Sequence, residues 1–289
     1  MAEFNWDLYG AVSQFAQLAH HFSERDLEKP WAWQDYDDGV RHAFFRTYEE
    51  LRELAALEAT SRTKLGKPAS IAQHILAQYH GGFRDLQAIL IGLSDQDAAT
   101  EPEDGSWPVQ RVIGHTVQAE RTFLAITQDA IERVRSRDGR PLEMSDEAYE
   151  RFIQGDRLEM LLESSAPLSQ LMAYYRELHE RVLAALVDIR DEELKTPCVY
   201  WESKPMPVKF RLLRFDSHLR QHAIQVEKTL GAIGHGPNEA RRLIRIIYSA
   251  LSELESAYLG LESERNRAQI LARSLAARTE EVRQAVASI

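Results

Sequence analysis

The chain has 289 residues, of which 44% are hydrophobic and 28% are charged, and its formal net charge is −10. This length suits one large domain or two modest ones with real hydrophobic cores. The acidic balance disfavours binding to the phosphate backbone of nucleic acids, and the one cysteine, Cys198, excludes a disulfide within the chain.

The first ten residues contain no basic segment followed by an apolar stretch, so no signal peptide is expected. No apolar run approaches the roughly 18 residues that span a bilayer. The run of Arg241, Arg242 and Arg245 lies among apolar residues and is interpreted as a solvated helix face. We therefore expect a cytoplasmic protein that binds neither membranes nor nucleic acid.

Residues 1–65 are predicted to form an N-terminal pair of helices. The dominant hydrophobic period along the chain is that of the α-helix. One helix is expected over residues 6–22 and a second from Val40, with a loop at 23–36 between them. A linker is predicted at 61–68.

Residues 70–234 are predicted to contain four long helices, which suits a four-helix bundle. The first begins at Ser70, whose spacing from Gln73 is typical of a capping box. A polar loop separates it from the second helix, for which Ser106 is the expected N-cap.

The second half of this bundle follows an irregular insertion at residues 140–163. The third helix begins after Ser165 and has the cleanest apolar stripe in the chain. A proline-broken loop at 195–207 leads to the fourth helix, which ends near Gly234.

Residues 237–289 are expected to be helical as well. The tail from Glu264 is either a separate helix after Gly260 or a continuation of the helix before it. The terminal segments are expected to pack on each other or on a second subunit, so a homodimer is one of the two arrangements predicted.

Two histidines lie one turn apart on the fourth bundle helix. The spacing of His218 and His222 places both imidazoles on one face. Both are expected to point into the bundle, with His222 the deeper, because they fall beside or within an apolar stripe of Leu212, Phe215, Leu219 and Val226. A buried imidazole without a partner costs on the order of 1–3 kcal/mol, so the pair indicates a cation site.

A third ligand has to come from another helix. His115 flanks the apolar stripe of the second bundle helix, but periodicity alone does not distinguish it from His74 or His80. A structural alternative also stands, since a histidine on an apolar stripe is more often a core residue bonded to a backbone carbonyl. Three histidines and an open fourth position would be typical of a catalytic zinc site.

Two segments resemble the motifs of a known family. The stretch SWPVQRVIGHTVQAE, from Ser106 to Glu120, is similar to the second-helix motif of DinB/YfiT-like proteins, with Trp107 at the start and a metal-binding histidine at His115. The stretch FDSHLRQH, ending at His222, is similar to the fourth-helix motif, which supplies the other two ligands.

The resemblance covers about residues 70–234. It implies an all-α fold, in which a central DinB-like four-helix bundle of the up-down-down-up type carries extra N- and C-terminal helices. It also implies one divalent metal ion held by His115, His218 and His222, with zinc expected first and nickel or iron as alternatives.

Characterised relatives in this family include transferases and isomerases that depend on small thiols. The resemblance therefore implies a metal-dependent S-transferase or isomerase, with a low-molecular-weight thiol and another small molecule as partners. The alternative is a non-catalytic metal-binding protein or a stress-response interaction protein.

Three other side chains are weaker candidates. Glu120 is interpreted as a base near the metal or, more often, a structural or exposed carboxylate. Asp216 is a candidate for orienting a ligand imidazole, although its spacing of two residues from His218 directs it elsewhere on the helix. Cys198 is a candidate thiolate ligand, although a structural role is favoured for it. No glycine-rich phosphate loop and no Ser–His–Asp signature is present.

Overall fold

The computed structural model describes residues 6–200, 202, 204–261 and 266–287 of the chain. Parts of three sequence predictions lie outside the described residues: the first five residues of the N-terminal segment, residues 201 and 203 of the loop before the fourth bundle helix, and residues 264, 265, 288 and 289 of the tail.

Helices make up most of the described chain. They are α1 (Trp6–Ala19), α2 (Glu24–Leu27), α3 (Val40–Lys64), α4 (Ile71–Ile89), α5 (Asp95–Ala99), α6 (Val109–Ser136), α7 (Asp146–Ile153), α8 (Leu158–Glu163), α9 (Leu168–Leu186), α10 (Val208–Ala232), α11 (Glu239–Ala257) and α12 (Asn266–Ala287). Strands in this part of the chain are confined to β1 (Pro197–Cys198) and β2 (Met206–Pro207), an antiparallel pair. The all-α class is therefore confirmed.

None of the helices within the described ranges combines the length and the hydropathy that crossing a bilayer requires.

Helix termini agree with the sequence in some places and differ in others. The capping box is confirmed, since the Gln73 N–H donates to Ser70 Oγ at 3.2 Å and the Ser70 N–H donates to Gln73 Oε1 at 3.1 Å. The N-cap assigned to Ser106 was wrong, because α6 begins after Pro108 and the Ser106 N–H donates to Asp104 Oδ1 instead. Helix α3 also continues to Lys64, through the first part of the expected linker.

One compact unit consists of the described residues of 1–68, 83–93 and 235–289. Its core joins α1, α3, α11 and α12, and it contains an edge-to-face pair of Phe15 and Phe44 with ring centroids 4.9 Å apart. The buried Arg84 guanidinium donates to both Glu255 carboxylate oxygens, at 2.7 and 2.6 Å. Helices from the two ends of the chain therefore share one core.

The other unit consists of the described residues of 69–82 and 94–234. It contains α6, α9 and α10 together with the first part of α4, and α6 packs against both α9 and α10. These are the four long helices that the periodicity predicts. Their buried apolar faces bring one side of α6, which carries His115, towards α10, which carries His218 and His222.

Candidate metal centre

Helix α10 holds His218 and His222 on its buried face. Each is 7% exposed, so the expectation that His222 lies deeper was wrong. Phe215 and Leu219, both fully buried, fix this face of the helix against the interior. The His218 and His222 rings are crossed at 71°, and their Nε2 atoms lie 3.1 Å apart.

Helix α6 brings His115 to the same point. Its ring centroid lies 5.4 Å from that of His218 and 4.8 Å from that of His222. One ring nitrogen from each histidine lies within 4.8 Å of the other two. In the part of the chain that the structure describes, this is the one group of three or more His, Cys, Asp or Glu side chains arranged so that it could hold a metal ion.

The spacing of the ring nitrogens suits one ion. Two nitrogens bound to a tetrahedral zinc ion at about 2.0–2.1 Å stand roughly 3.3 Å apart, and the Nε2 atoms of His218 and His222 lie 3.1 Å apart. Three imidazoles also form a donor set that suits zinc, nickel or iron. The residues present therefore fit the metal that the sequence motifs imply.

Gln225 orients the ring of His222. Its Oε1 lies 2.9 Å from His222 Nδ1, one turn further along α10. An oxygen acceptor at this position places the ring proton on Nδ1 and leaves the lone pair of Nε2 directed at the cluster. His218 differs, because its Nδ1 is buried and has no hydrogen-bond partner among the described residues.

The three imidazoles favour their neutral, metal-binding form. Burial, and to a smaller extent the neighbouring His222 and His115, lower the pKa of His218 from 6.5 to about 3. Burial also lowers the pKa of His222, against a smaller opposing effect of Gln225, and that of His115. Because only a neutral imidazole offers a lone pair, protons compete weakly with a metal at neutral pH.

Aromatic side chains pack around the histidines. The ring of Trp107, at the start of the helix that carries His115, meets His115 edge-on with centroids 5.6 Å apart. Phe123, two turns after His115, meets His218 at 5.6 Å. These rings cover the edges of His115 and His218 and contribute to the burial that lowers the imidazole pKa values.

His115 also lines a cavity of about 430 Å³. Helix α6 forms one wall, and the segment from α8 to α9 forms the other. Of the three histidines, His115 borders this space, which is large enough for a small molecule, whereas His218 and His222 are buried and do not line it.

The structure separates the other sequence candidates from the cluster. Asp216 accepts a hydrogen bond from Arg220 Nε at 2.7 Å. Cys198 is buried, its Sγ lies 3.3 Å from the Met206 carbonyl oxygen, and burial raises the pKa of its thiol. His74 is exposed, so of the histidines that periodicity left open, only His115 joins the group.

Glu120 belongs to a second polar group in the same unit. Its carboxylate is fully buried and accepts hydrogen bonds from the Tyr79 and Tyr175 hydroxyls, at 2.5 and 2.6 Å. Burial raises the pKa of Glu120 to about 8. His80 Nδ1 lies 2.9 Å from His179 Nε2, and the His179 ring packs against Tyr79.

Sequence reasoning missed this second group. Tyr175 lies on the third bundle helix, for which the sequence predicts only an apolar stripe, and periodicity does not predict the pairing of His80 with His179. The available signal was the four-residue spacing of Tyr175 and His179 on the buried face of α9, which puts two polar side chains side by side.

Comparison with protein families gives one match. The family model described as the DinB superfamily matches residues 78–226, just over half of the chain, and this range contains His115, His218 and His222. Neither the curated proteins nor the solved structures contain a match to the chain.

Proposed function

Since the chain belongs to the DinB superfamily, we propose that His115, His218 and His222 hold one zinc ion, and that the protein is a metal-dependent S-transferase or isomerase acting with a low-molecular-weight thiol. The observation that carries this proposal is the convergence of three ring nitrogens, one from each histidine, within 4.8 Å of one another. One of these histidines, His115, also lines a cavity.

Each residue around the site has a distinct part in the proposal. The three histidines hold the ion, and Gln225 keeps the His222 ring in the tautomer whose Nε2 faces it. Trp107 and Phe123 exclude water from the edges of His115 and His218. When bound, zinc would supply Lewis acidity, stabilising a thiolate or a hydroxide at neutral pH.

The cavity favours an enzyme over the non-catalytic alternative. A structural zinc site is closed by four protein ligands, whereas a catalytic site keeps three and leaves one position open. Three histidines converge here, and one of them borders a space of about 430 Å³. A purely structural site would have no need of such a space.

The first experiment measures metal content. The full-length chain, purified with added zinc, should hold one ion per chain by inductively coupled plasma mass spectrometry. His115→Ala, His218→Ala and His222→Ala should each abolish tight binding, while the exposed His74 serves as the control through His74→Ala. Full zinc occupancy in all three cluster variants would overturn the site.

The second experiment measures thiol consumption. Zinc-loaded wild type is incubated with glutathione, cysteine or another small thiol and an electrophile such as 1-chloro-2,4-dinitrobenzene. We expect turnover that is lost on chelation and lost in His218→Ala. Full metal occupancy with no turnover across a broad panel would favour the non-catalytic alternative.

A further inference from the structure

The cavity beside His115 has one helical wall and one mostly apolar wall. Arg111, Gly114 and His115 line it along α6, at spacings that place them on one helix face, and Trp107, two residues before α6, lines it as well. The facing wall comes from α8, the start of α9 and the turn that joins them, and it consists mainly of Leu161, Leu162, Ala166 and Leu171.

The facing wall is fixed by specific contacts. A Cβ on Gly114 would lie 2.8 Å from Leu162 Cδ2, so glycine allows the wall to approach α6 closely. The Gln110 side-chain amide donates to the carbonyl oxygens of Ser165 and Ala166, at 2.8 and 2.5 Å. Ser165 itself adopts a left-handed backbone conformation with φ of 50°. These contacts fix the position of the facing wall relative to α6.

The charge of the cavity is opposite to that of the chain. The chain carries a formal charge of −10, yet none of the described residues that line the cavity is Asp or Glu. Arg111 is the one lining residue with a permanent charge. An anion is therefore favoured in this space, although most of the surface disfavours it.

Arg111 is held in place without an acidic partner. Its guanidinium carbon lies 4.5 Å from the centroid of the Trp107 ring, an arrangement that restrains the side chain. Within the described parts of the chain, no carboxylate forms an ion pair with it. A planar guanidinium that is restrained and has no acidic partner is suited to binding a carboxylate through two parallel hydrogen bonds.

Arg111 and His115 are one turn apart on the same face of α6, a rise of about 6 Å. We propose that the cavity binds small organic carboxylates, with Arg111 holding the carboxylate and the leucine wall covering an apolar body. If the proposed function holds, the ligand of this cavity is a short thiol that carries a carboxylate, and its sulfur is directed at the histidine cluster.

The first test needs no metal. Hexanoate and its neutral isostere hexanamide are titrated into the metal-free full-length chain, and binding is followed by saturation-transfer NMR. Wild type should bind hexanoate about two- to fivefold more tightly than hexanamide, the range expected for a partly exposed ion pair. Equal binding of the two ligands would overturn the proposal.

Variants of Arg111 assign that preference to one side chain. Arg111→Gln should bind both ligands equally, and Arg111→Lys, which keeps the charge but not the fork of donors, should give an intermediate preference. Arg273→Gln changes an exposed helical arginine that does not line the cavity, and it should behave as wild type. A full preference in Arg111→Gln would overturn the assignment.

The second test joins the carboxylate to the metal. The cobalt-loaded chain is titrated with 3-mercaptopropionate and with 3-mercaptopropionamide, and the sulfur-to-cobalt charge-transfer absorption is recorded. We expect the acid to bind about two- to fivefold more tightly than the amide, with the difference lost in Arg111→Gln. Equal binding of both thiols to a cobalt-loaded chain would overturn the proposed ligand class.

The two tests separate the possible failures. If cobalt does not bind at the histidines, the proposed function fails and the thiol part of this inference fails with it. The hexanoate comparison then still decides whether Arg111 recognises a carboxylate.

Discussion

The Nε2 atoms of His218 and His222 face each other at 3.1 Å within a buried part of the bundle. Gln225 keeps the proton of His222 on Nδ1, so in the metal-free chain the proton between the two Nε2 atoms has to belong to His218. His218 Nδ1 is then a buried acceptor without a partner in the described structure. The metal-free arrangement is therefore a costly one, and a cation at the shared point relieves it.

Gln225→Ala should weaken metal binding without removing a ligand. Without the acceptor at His222 Nδ1, neither the tautomer nor the orientation of the ring is fixed. The loss of such a hydrogen bond costs roughly 10- to 100-fold in metal affinity. Competition with a chromophoric chelator at pH 7.5 measures the effect. Gln221→Ala, an exposed neighbour on α10, is the control, and an unchanged affinity in Gln225→Ala would contradict the role assigned to the amide.

The metal-free chain should lose stability as the pH falls from about 6.5 towards 3. The folded-state pKa of His218, about 3, lies below its ordinary value of 6.5. Between these two pH values the unfolded chain binds a proton at His218 and the folded chain does not. The free energy of unfolding therefore decreases progressively as the pH falls below 6.5.

At pH 5 the contribution of His218 to this loss is about 2 kcal/mol. His218→Gln should lack it, so the free energy of unfolding in urea should fall less between pH 7.5 and 5 than in wild type. His74→Gln, at an exposed position, should keep the wild-type dependence. Identical pH profiles for wild type and His218→Gln would rule out the burial effect.

Glu120→Gln should stabilise the chain near neutral pH. The folded-state pKa of Glu120, about 8, lies above its ordinary value of 4.5. Its contribution to stability is therefore fully present below pH 4.5 and is lost as the pH rises to about 8. A neutral isostere avoids that loss, which amounts to about 3 kcal/mol at pH 7.

Urea unfolding at pH 5, 7 and 8 measures this change, with Glu132→Gln on the exposed face of α6 as the control. The advantage of Glu120→Gln should grow with pH. A variant that is less stable than wild type at every pH would mean that the hydrogen bonds from Tyr79 and Tyr175 favour the ionised carboxylate more than burial opposes it.

Ser165→Gly should raise the free energy of unfolding by about 1 kcal/mol. Helix α8 ends with the Ala166 N–H donating to the Leu161 carbonyl and the Ser165 N–H donating to the Leu162 carbonyl, a motif that places Ser165 at φ 50°. Glycine enters this left-handed region without the steric cost of a Cβ.

The adjacent Ser164 has φ of −77°, so Ser164→Gly gains nothing from glycine and should lower stability slightly. The shift of the urea midpoint in the metal-free chain compares the two variants. Equal shifts for both would show that the left-handed residue carries no strain.

The amino-acid sequence was sufficient for the long helices and for two of the three histidines of the candidate metal site. Apolar residues at a period of 3.6 mark the buried face of each helix, and this local signal located α6, α9 and α10 and placed His218 with His222 on one face. The capping box at Ser70 is equally local, because both of its partners lie within four residues. Choosing His115 over His80 needed the resemblance to a family, since both lie next to apolar stripes.

The tertiary structure decided which buried helix faces meet and at which positions along the helix axes they do so. It places His115 beside the α10 pair but pairs His80 with His179, and it brings Arg111 into the same cavity as Leu162. It also buries Glu120 between Tyr79 and Tyr175 and leaves His218 and His222 equally buried. The physical reason is that periodicity fixes the orientation of each helix about its own axis, whereas contacts between helices depend on their relative rotation and shift, which the packing of many side chains distant in sequence sets together.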